Sequence, residues 1–208
     1  ARVQAATNWT EGQHYFAVRP AQRTNVAAGK IEVLEIFSYG CPYCYQLNPT
    51  IAKLKASLPK QAEMCYLPAS FIPSEDWPMF QQAFYAADAL GIMDKTHDAM
   101  FDAIWKTGKL AIVDFKTNRL VRPAPTIEDA ASFYSRTTKI DKGKFIATAK
   151  SFSVAAKMTR ADQLIKVYGV HETPTLIVNG KYRLTPASAG GTEQLIELVQ
   201  WLIAKEIK

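Results

Sequence analysis

The segment Ile31-Glu32-Val33-Leu34-Glu35-Ile36-Phe37-Ser38-Tyr39-Gly40-Cys41-Pro42-Tyr43-Cys44 constrains the chain more than any other. From Ile31 to Phe37 apolar residues occupy both alternating faces, interrupted only by Glu32 and Glu35. That pattern belongs to an inner strand covered on two sides. Gly40 breaks it. Cys41 then stands at the N-cap position of a helix, and Pro42 takes the first helical position, where its missing N–H costs nothing. Leu47, Ile51, Leu54 and Leu58 continue at helical spacing until Pro59.

This placement carries chemistry. An N-cap side chain receives hydrogen bonds from the backbone N–H groups two and three residues on, here those of Tyr43 and Cys44. The positive end of the helix dipole lies at the same place. Both effects favour thiolate over thiol, so the Cys41 pKa is expected to fall below the ordinary value of about 8.5. Cys44 lies one helical turn away, within disulfide reach. Cys41 is therefore the candidate attacking thiolate and Cys44 the resolving thiol. A C-x-x-C pair is also half of a zinc site, but a C-P-x-C between a buried strand and a helix points to redox chemistry.

The third cysteine, Cys65, could complete a zinc site with Cys41, Cys44 and one of His14, His97 or His171. These residues lack the paired spacing of a structural zinc centre, so no metal or other cofactor is expected. Cys65 is expected to pack within a strand as a small hydrophobe. The formal charge of +6 is modest for 208 residues, and the basic residues are interleaved with acidic ones, which argues against nucleic-acid binding. No apolar run approaches the roughly 18 residues of a membrane span. No signal peptide is seen, and a start at Ala1 reads as a processed or trimmed chain, in keeping with export.

Taken in order, residues 1–13 read as a loose arm. Tyr15, Phe16 and Val18 suggest a short edge strand before Pro20. Residues 63–71 read as a second strand, with Pro68 marking an edge or bulge. From about Ser74 to Arg160 the pattern is helical, with no convincing strand. Asp76 is expected to cap a helix carrying Phe80, Ala83, Phe84, Ala87 and Leu90 and closed by Gly91. Met100, Phe101, Ile104 and Trp105 mark a second helix. Thr126 and Asp129 form a capping box for a third. Phe145, Ile146, Ala149, Phe152 and Ala156 mark a fourth. A further helix ends near Tyr168-Gly169. Thr175–Val178, Asn179-Gly180 and Lys181–Leu184 form a hairpin signature, Asn-Gly being the preferred pair of a type I′ turn. A final amphipathic helix follows, with Thr192 as its expected cap. The fold class is α/β. The expected division is an arm over 1–13, one part of an α/β domain over 14–73, a helical insertion over 74–160, and the rest of the α/β domain over 161–208.

Four further residues draw attention. Thr173-Pro174 precedes the hairpin. Spacing alone favours an ordinary trans bond, since X–Pro bonds in folded proteins are cis only about 5–6% of the time. If that loop lay beside the cysteines, Thr173 could pair with an extended substrate by strand addition. Glu35 falls on an apolar strand face, where its carboxyl is either satisfied by a partner or exchanges protons with the cysteine pair. His171 reads as a plain loop histidine.

The stretch Val33–Gln46 and the stretch Thr173–Tyr182 resemble the DsbA family of thiol:disulfide interchange proteins, and order and spacing agree along nearly the whole chain. The resemblance implies a thioredoxin-like fold interrupted by an all-helical domain. It implies a periplasmic oxidant, expected to be a monomer, that hands its Cys41–Cys44 disulfide to unfolded exported polypeptides with free cysteines. It also implies reoxidation by a DsbB-like, quinone-linked membrane oxidase, a cis Thr173–Pro174 bond, and substrate contacts from Pro42, Tyr43, Thr173 and Pro174. Two positions depart from the family pattern. Tyr43 stands where well-known members have His, and Tyr66, next to Cys65, stands where they have a lysine partner for the buried glutamate.

Other readings are an isomerase or reductase on the same fold, a non-catalytic peptide-binding chaperone module, and a glutathione-transferase-like isomerase. Residues 1–13 are too short for the dimerisation domain of dimeric isomerases, and two cysteines at a helix start argue against the transferase-like plan.

Overall fold

The computed structural model describes residues 8–207. The expected inner strand is β2, Ile31–Phe37, buried at every position. It belongs to a five-stranded sheet whose other members are β1 (Phe16–Ala17), β3 (Ala62–Pro68), β6 (Thr175–Val178) and β7 (Tyr182–Leu184), in the order β1-β7-β6-β2-β3. Pro68 ends an edge strand, where a missing ladder N–H is tolerated. The Asn179-Gly180 hairpin forms as expected, with φ of 52° and 64° at its two central residues and antiparallel register Val178↔Tyr182. A Cβ on Gly180 would sit 2.2 Å from the Gln22 carbonyl oxygen, so close approach as well as φ requires glycine there.

Helices are α1 (Pro42–Ser57), α2 (Trp77–Ala89), α3 (Met93–Trp105), α4 (Ile127–Thr138), α5 (Lys142–Ala149), α6 (Phe152–Val167), α7 (Pro186–Ala189) and α8 (Thr192–Glu206). The chain divides into two compact units. Among the described residues, one comprises 8–35, 49–66 and 174–207; the other comprises 36–48 and 67–173. In the first, α8 buries Leu195, Leu198, Val199, Leu202 and Ile203. In the second, Phe84, Met100, Phe101, Ile104, Tyr134 and Phe145 are buried on the inner faces of α2 to α5.

Several local expectations need correction. Of the expected arm, residues 1–7 lie outside the described residues, while Thr10 to His14 form a hydrogen-bonded turn in which the Thr10 N–H donates to His14 Nδ1 at 3.0 Å. Asp76 precedes α2 in a left-handed conformation and makes no side-chain cap; its carboxylate lies 3.7 Å from Arg122 instead. The helical stretch does contain strands, β4 (Val113–Asp114) and β5 (Arg119–Leu120), too short to leave a periodic signal. The expected fourth helix is two, because Ser151 caps a new helix through its hydroxyl, and Phe152 is 89% exposed. Gly191, not Thr192, is the N-cap of α8. The capping box of Thr126 and Asp129 is present in full.

Candidate active site

Ser38 closes the turn that ends β2. Its hydroxyl accepts from the Gly40 N–H at 3.1 Å, and its carbonyl accepts from the Cys41 N–H at 3.1 Å. The Cys41 carbonyl then accepts the first bond of α1, from Tyr45 N–H at 3.1 Å, which makes Cys41 the N-cap. Pro49 lies inside α1 and deprives it of one interior N–H.

Four side chains, those of Trp105, His97, Trp77 and Ile112, hold the loop before Cys41. Trp105 donates its indole N–H to the Tyr39 carbonyl at 2.8 Å. The Tyr39 hydroxyl meets His97 Nδ1 at 2.9 Å. Trp77 and Ile112 pack so tightly on Gly40 that a Cβ there would lie 2.6 Å from Trp77 Cδ1 and Nε1. Sequence patterning placed Trp105 on a helix but gave no sign that it or Trp77 reaches this loop, because such contacts leave no periodic trace.

Cys41 and Cys44 are both present as thiols and both buried. Cys41 is 4% exposed, whereas Pro42 is exposed and Tyr43 is 67% exposed. The Cys41 pKa is drawn down to about 6. The hydrogen bond from the Cys44 side chain contributes most. Burial opposes it, and the Thr173 side chain and the backbone N–H groups of Cys44 and Tyr43 add to the lowering. The two backbone donors are those expected of an N-cap sulfur; the Cys44 thiol exceeds them.

Thr173 approaches the same sulfur. The Cys41 thiol donates to the Thr173 carbonyl oxygen at 3.4 Å. The Thr173 hydroxyl oxygen is buried and makes no hydrogen bond in the structure. Thr173 can therefore serve both protonation states: its carbonyl accepts from the thiol, and its unpaired hydroxyl is free to donate once the thiolate forms, in the direction that lowers the Cys41 pKa. Of the expected site residues, the structure brings together Cys41, Cys44 and Thr173. Glu35, 2% exposed, and the buried Pro174 belong to the other unit. Cis peptide bonds are seen at Arg19–Pro20 and Arg122–Pro123; a cis geometry is not shown for Thr173–Pro174.

Cys65 differs from expectation. It is half-buried on β3, and its thiol is pushed up to about 12 by burial and by the charges of Glu32 and Glu63. Glu32, buried in β2, accepts from the Asn25 N–H at 3.0 Å, and burial raises its pKa. Tyr66, at the place of the family lysine, carries the Lys55 ammonium 5.7 Å above its ring. Among the described residues no group of three or more His, Cys, Asp or Glu side chains is arranged to hold a metal ion.

The thioredoxin family model matches residues 26–198. The thiol:disulfide interchange protein DsbA of Pseudomonas aeruginosa is 36% identical over 201 residues, 97% of this chain and 87% of that protein. The chain belongs to the DsbA family. DsbA of Pseudomonas syringae pv. tomato is 38% identical over 204 residues, 98% of this chain and 87% of that protein. The crystal structure of Pseudomonas aeruginosa DsbA matches with a TM-score of 0.80 at 35% identity, covering 97% of this chain and 96% of that one. The oxidoreductase DsbA from Xylella fastidiosa matches with a TM-score of 0.80 at 28% identity, covering 92% and 94%. The DsbA fold, thioredoxin-like with inserted helices, is the architecture expected from the sequence, and this DsbA-family chain is a protein disulfide oxidoreductase with Cys41-Pro42-Tyr43-Cys44 as its C-x-x-C motif.

Proposed function

We propose that the chain is a disulfide donor to unfolded polypeptides exported to the periplasm. It acts there as a monomer and is reoxidised by a DsbB-like, quinone-linked membrane oxidase. No helix among the described residues is long and apolar enough to cross a membrane. The observation that carries the donor role is the placement of Cys41 at the N-cap of α1, against Cys44 and Thr173, where its pKa is drawn down to about 6. A thiolate stabilised in the reduced protein makes the disulfide easier to reduce, which favours an oxidant over a reductase.

The steps balance as follows. A substrate thiolate attacks the Cys41 sulfur of the Cys41–Cys44 disulfide. A substrate–Cys41 mixed disulfide forms, and Cys44 leaves as thiolate and takes up a proton. A second substrate thiolate then attacks the substrate sulfur and expels Cys41, whose low pKa makes it a good leaving group. The substrate dithiol is oxidised and the protein is left as the dithiol. In the reverse direction Cys41 attacks and Cys44 resolves. Glu35 is assigned the proton exchange with the pair. The Thr173 backbone, with a cis Pro174 behind it, is assigned to pairing with the extended substrate, while exposed Pro42 and Tyr43 touch it beside the sulfur.

Replacing Cys44 tests this reading. Cys44→Ser, produced in an exporting cell, is expected to accumulate exported proteins linked through Cys41, and Cys41→Ser/Cys44→Ser to accumulate none. Recovery of no disulfide-linked exported protein with Cys44→Ser overturns the donor role.

A further inference from the structure

A cavity of about 370 Å³ opens between α3 and α4. Its size falls within the roughly 300–1,000 Å³ of ligand pockets. Each helix supplies one row of its surface: Ala99, Asp102 and Ala103 from α3, and Phe133, Arg136 and Thr137 from α4. Both rows are spaced i, i+3, i+4, the positions that share a helix face. Thr107 and Lys109, in the turn after α3, line it as well. The two alanines are too short to fill the gap that longer side chains close between packed helices. His97 and Trp105, the residues of α3 that reach the loop before Cys41, stand on another face of that helix. The cavity is therefore separate from the active site.

Its chemistry has two parts. The floor is apolar, with Ala103 and Phe133 buried. The rim is cationic, with Lys109 and Arg136 exposed. Neither cation forms an ion pair or a side-chain hydrogen bond among the described residues. Arg136 lies in the last turn of α4, where the helix dipole favours a cation without neutralising it. The carboxylate in the lining, Asp102, is already engaged: its Oδ2 lies 3.6 Å from Lys106 Nζ, and its Oδ1 accepts from the Tyr45 hydroxyl at 3.5 Å.

We propose that this cavity binds a small carboxylate carrying an aromatic or branched aliphatic body. The planar guanidinium of Arg136 takes the carboxylate as a bidentate pair. Lys109 adds a second positive charge, and the body of the ligand lies on Ala99, Ala103 and Phe133. A neutral molecule of the same shape leaves both cations unpaired. A compact inorganic anion leaves the apolar floor wet. The site therefore selects the combination of charge and apolar body.

Phenylacetate is the probe. Titrated into the full chain and followed by amide NMR spectra, it is expected to shift residues 99–109 and 133–137 with a Kd of about 1 mM, in keeping with a ligand of about ten non-hydrogen atoms. Phenylacetamide has the shape without the charge, and inorganic phosphate has the charge without the body. Each is expected to bind at least about tenfold more weakly. Arg136→Gln is expected to weaken phenylacetate at least about tenfold and to leave phenylacetamide unchanged, a split that general loss of structure does not produce. Ala99→Leu, which fills the cavity from its half-buried side, is expected to weaken both organic ligands and leave phosphate as it was. No saturable shift with phenylacetate overturns the site. So does phenylacetamide or phosphate binding as tightly as phenylacetate, an Arg136→Gln protein that binds phenylacetate like wild type, or a shift pattern that maps to the Cys41 loop instead.

Discussion

Thr173→Val removes one hydroxyl from the active site and leaves the carbonyl that faces Cys41 in place. The buried Thr173 hydroxyl makes no hydrogen bond in the structure and its side chain lowers the Cys41 pKa, so its loss breaks no existing bond and acts through the thiolate. A hydrogen bond to a charged group contributes about 1.5–3 kcal/mol, which corresponds to about one to two pKa units. The Cys41 pKa is therefore expected to rise from about 6 to about 7 or somewhat above. At pH 7 a thiol of pKa about 6 stabilises the reduced protein by about 1.4 kcal/mol, and one of pKa about 7 by about 0.4. The difference of about 1 kcal/mol makes the disulfide about 20 mV harder to reduce.

The pH dependence gives the prediction its sign. The Cys41 pKa is depressed in the folded reduced protein, from 9.0 to about 6. Its stabilisation of that form is complete above about pH 9 and is lost as pH falls through about 6. The Thr173→Val protein should therefore differ from wild type at pH 7 and 8 and coincide with it near pH 5. Thiolate absorbance against pH and the glutathione equilibrium at each pH measure both quantities. A Cys41 pKa that stays at its wild-type value or falls, or a potential difference that persists near pH 5, refutes the argument.

In the reduced protein at mildly acidic pH, Cys41 should be the only rapidly alkylated thiol, because Cys65 is pushed up to about 12 and Cys44 is wholly buried; mass mapping that finds Cys44 or Cys65 modified first contradicts this. Gly40→Ala should displace Trp77, whose indole would lie 2.6 Å from the added Cβ, and strain its hydrogen bond to Glu75 Oε2 at 3.2 Å. A loss of about 1–3 kcal/mol is expected from such overpacking, read from denaturant midpoints together with a changed tryptophan emission, and unaltered stability and emission speak against the packing described.

What the sequence made legible is what short-range chemistry decides. The limits of β2 follow from seven consecutive residues that are buried together. The start of α1 follows from Gly40, Cys41 and Pro42, and the hairpin from Asn179 and Gly180, whose positive φ answers a local dihedral demand. The misses have the opposite origin. Asp76 looks like a side-chain cap, but its backbone is left-handed and its carboxylate turns to Arg122, 46 positions later in the chain. Phe152 fits a helical apolar spacing, yet Ser151 begins a new helix and leaves the ring in solvent. The strands β4 and β5 are two residues each, shorter than one period of any pattern that marks a strand.

The active site divides along the same line. Part of the stabilisation of the Cys41 thiolate comes from within four residues of it: the Cys44 thiol and the backbone N–H groups of Tyr43 and Cys44. A C-x-x-C at a helix start fixes those donors wherever it occurs, which is why the reaction class was readable from fourteen residues. The rest comes from the side chain of Thr173, whose carbonyl meets the same sulfur from 132 positions away. That contact exists because the chain returns to the loop after the helices, and no local pattern around Thr173 encodes it. Tyr43, the departure most visible in the sequence, is 67% exposed, so the buried side of the sulfur is held by Cys44 and Thr173. The reactivity of Cys41 is therefore set in kind by its position at the start of α1 and in degree by the Cys44 thiol first and by Thr173 after it.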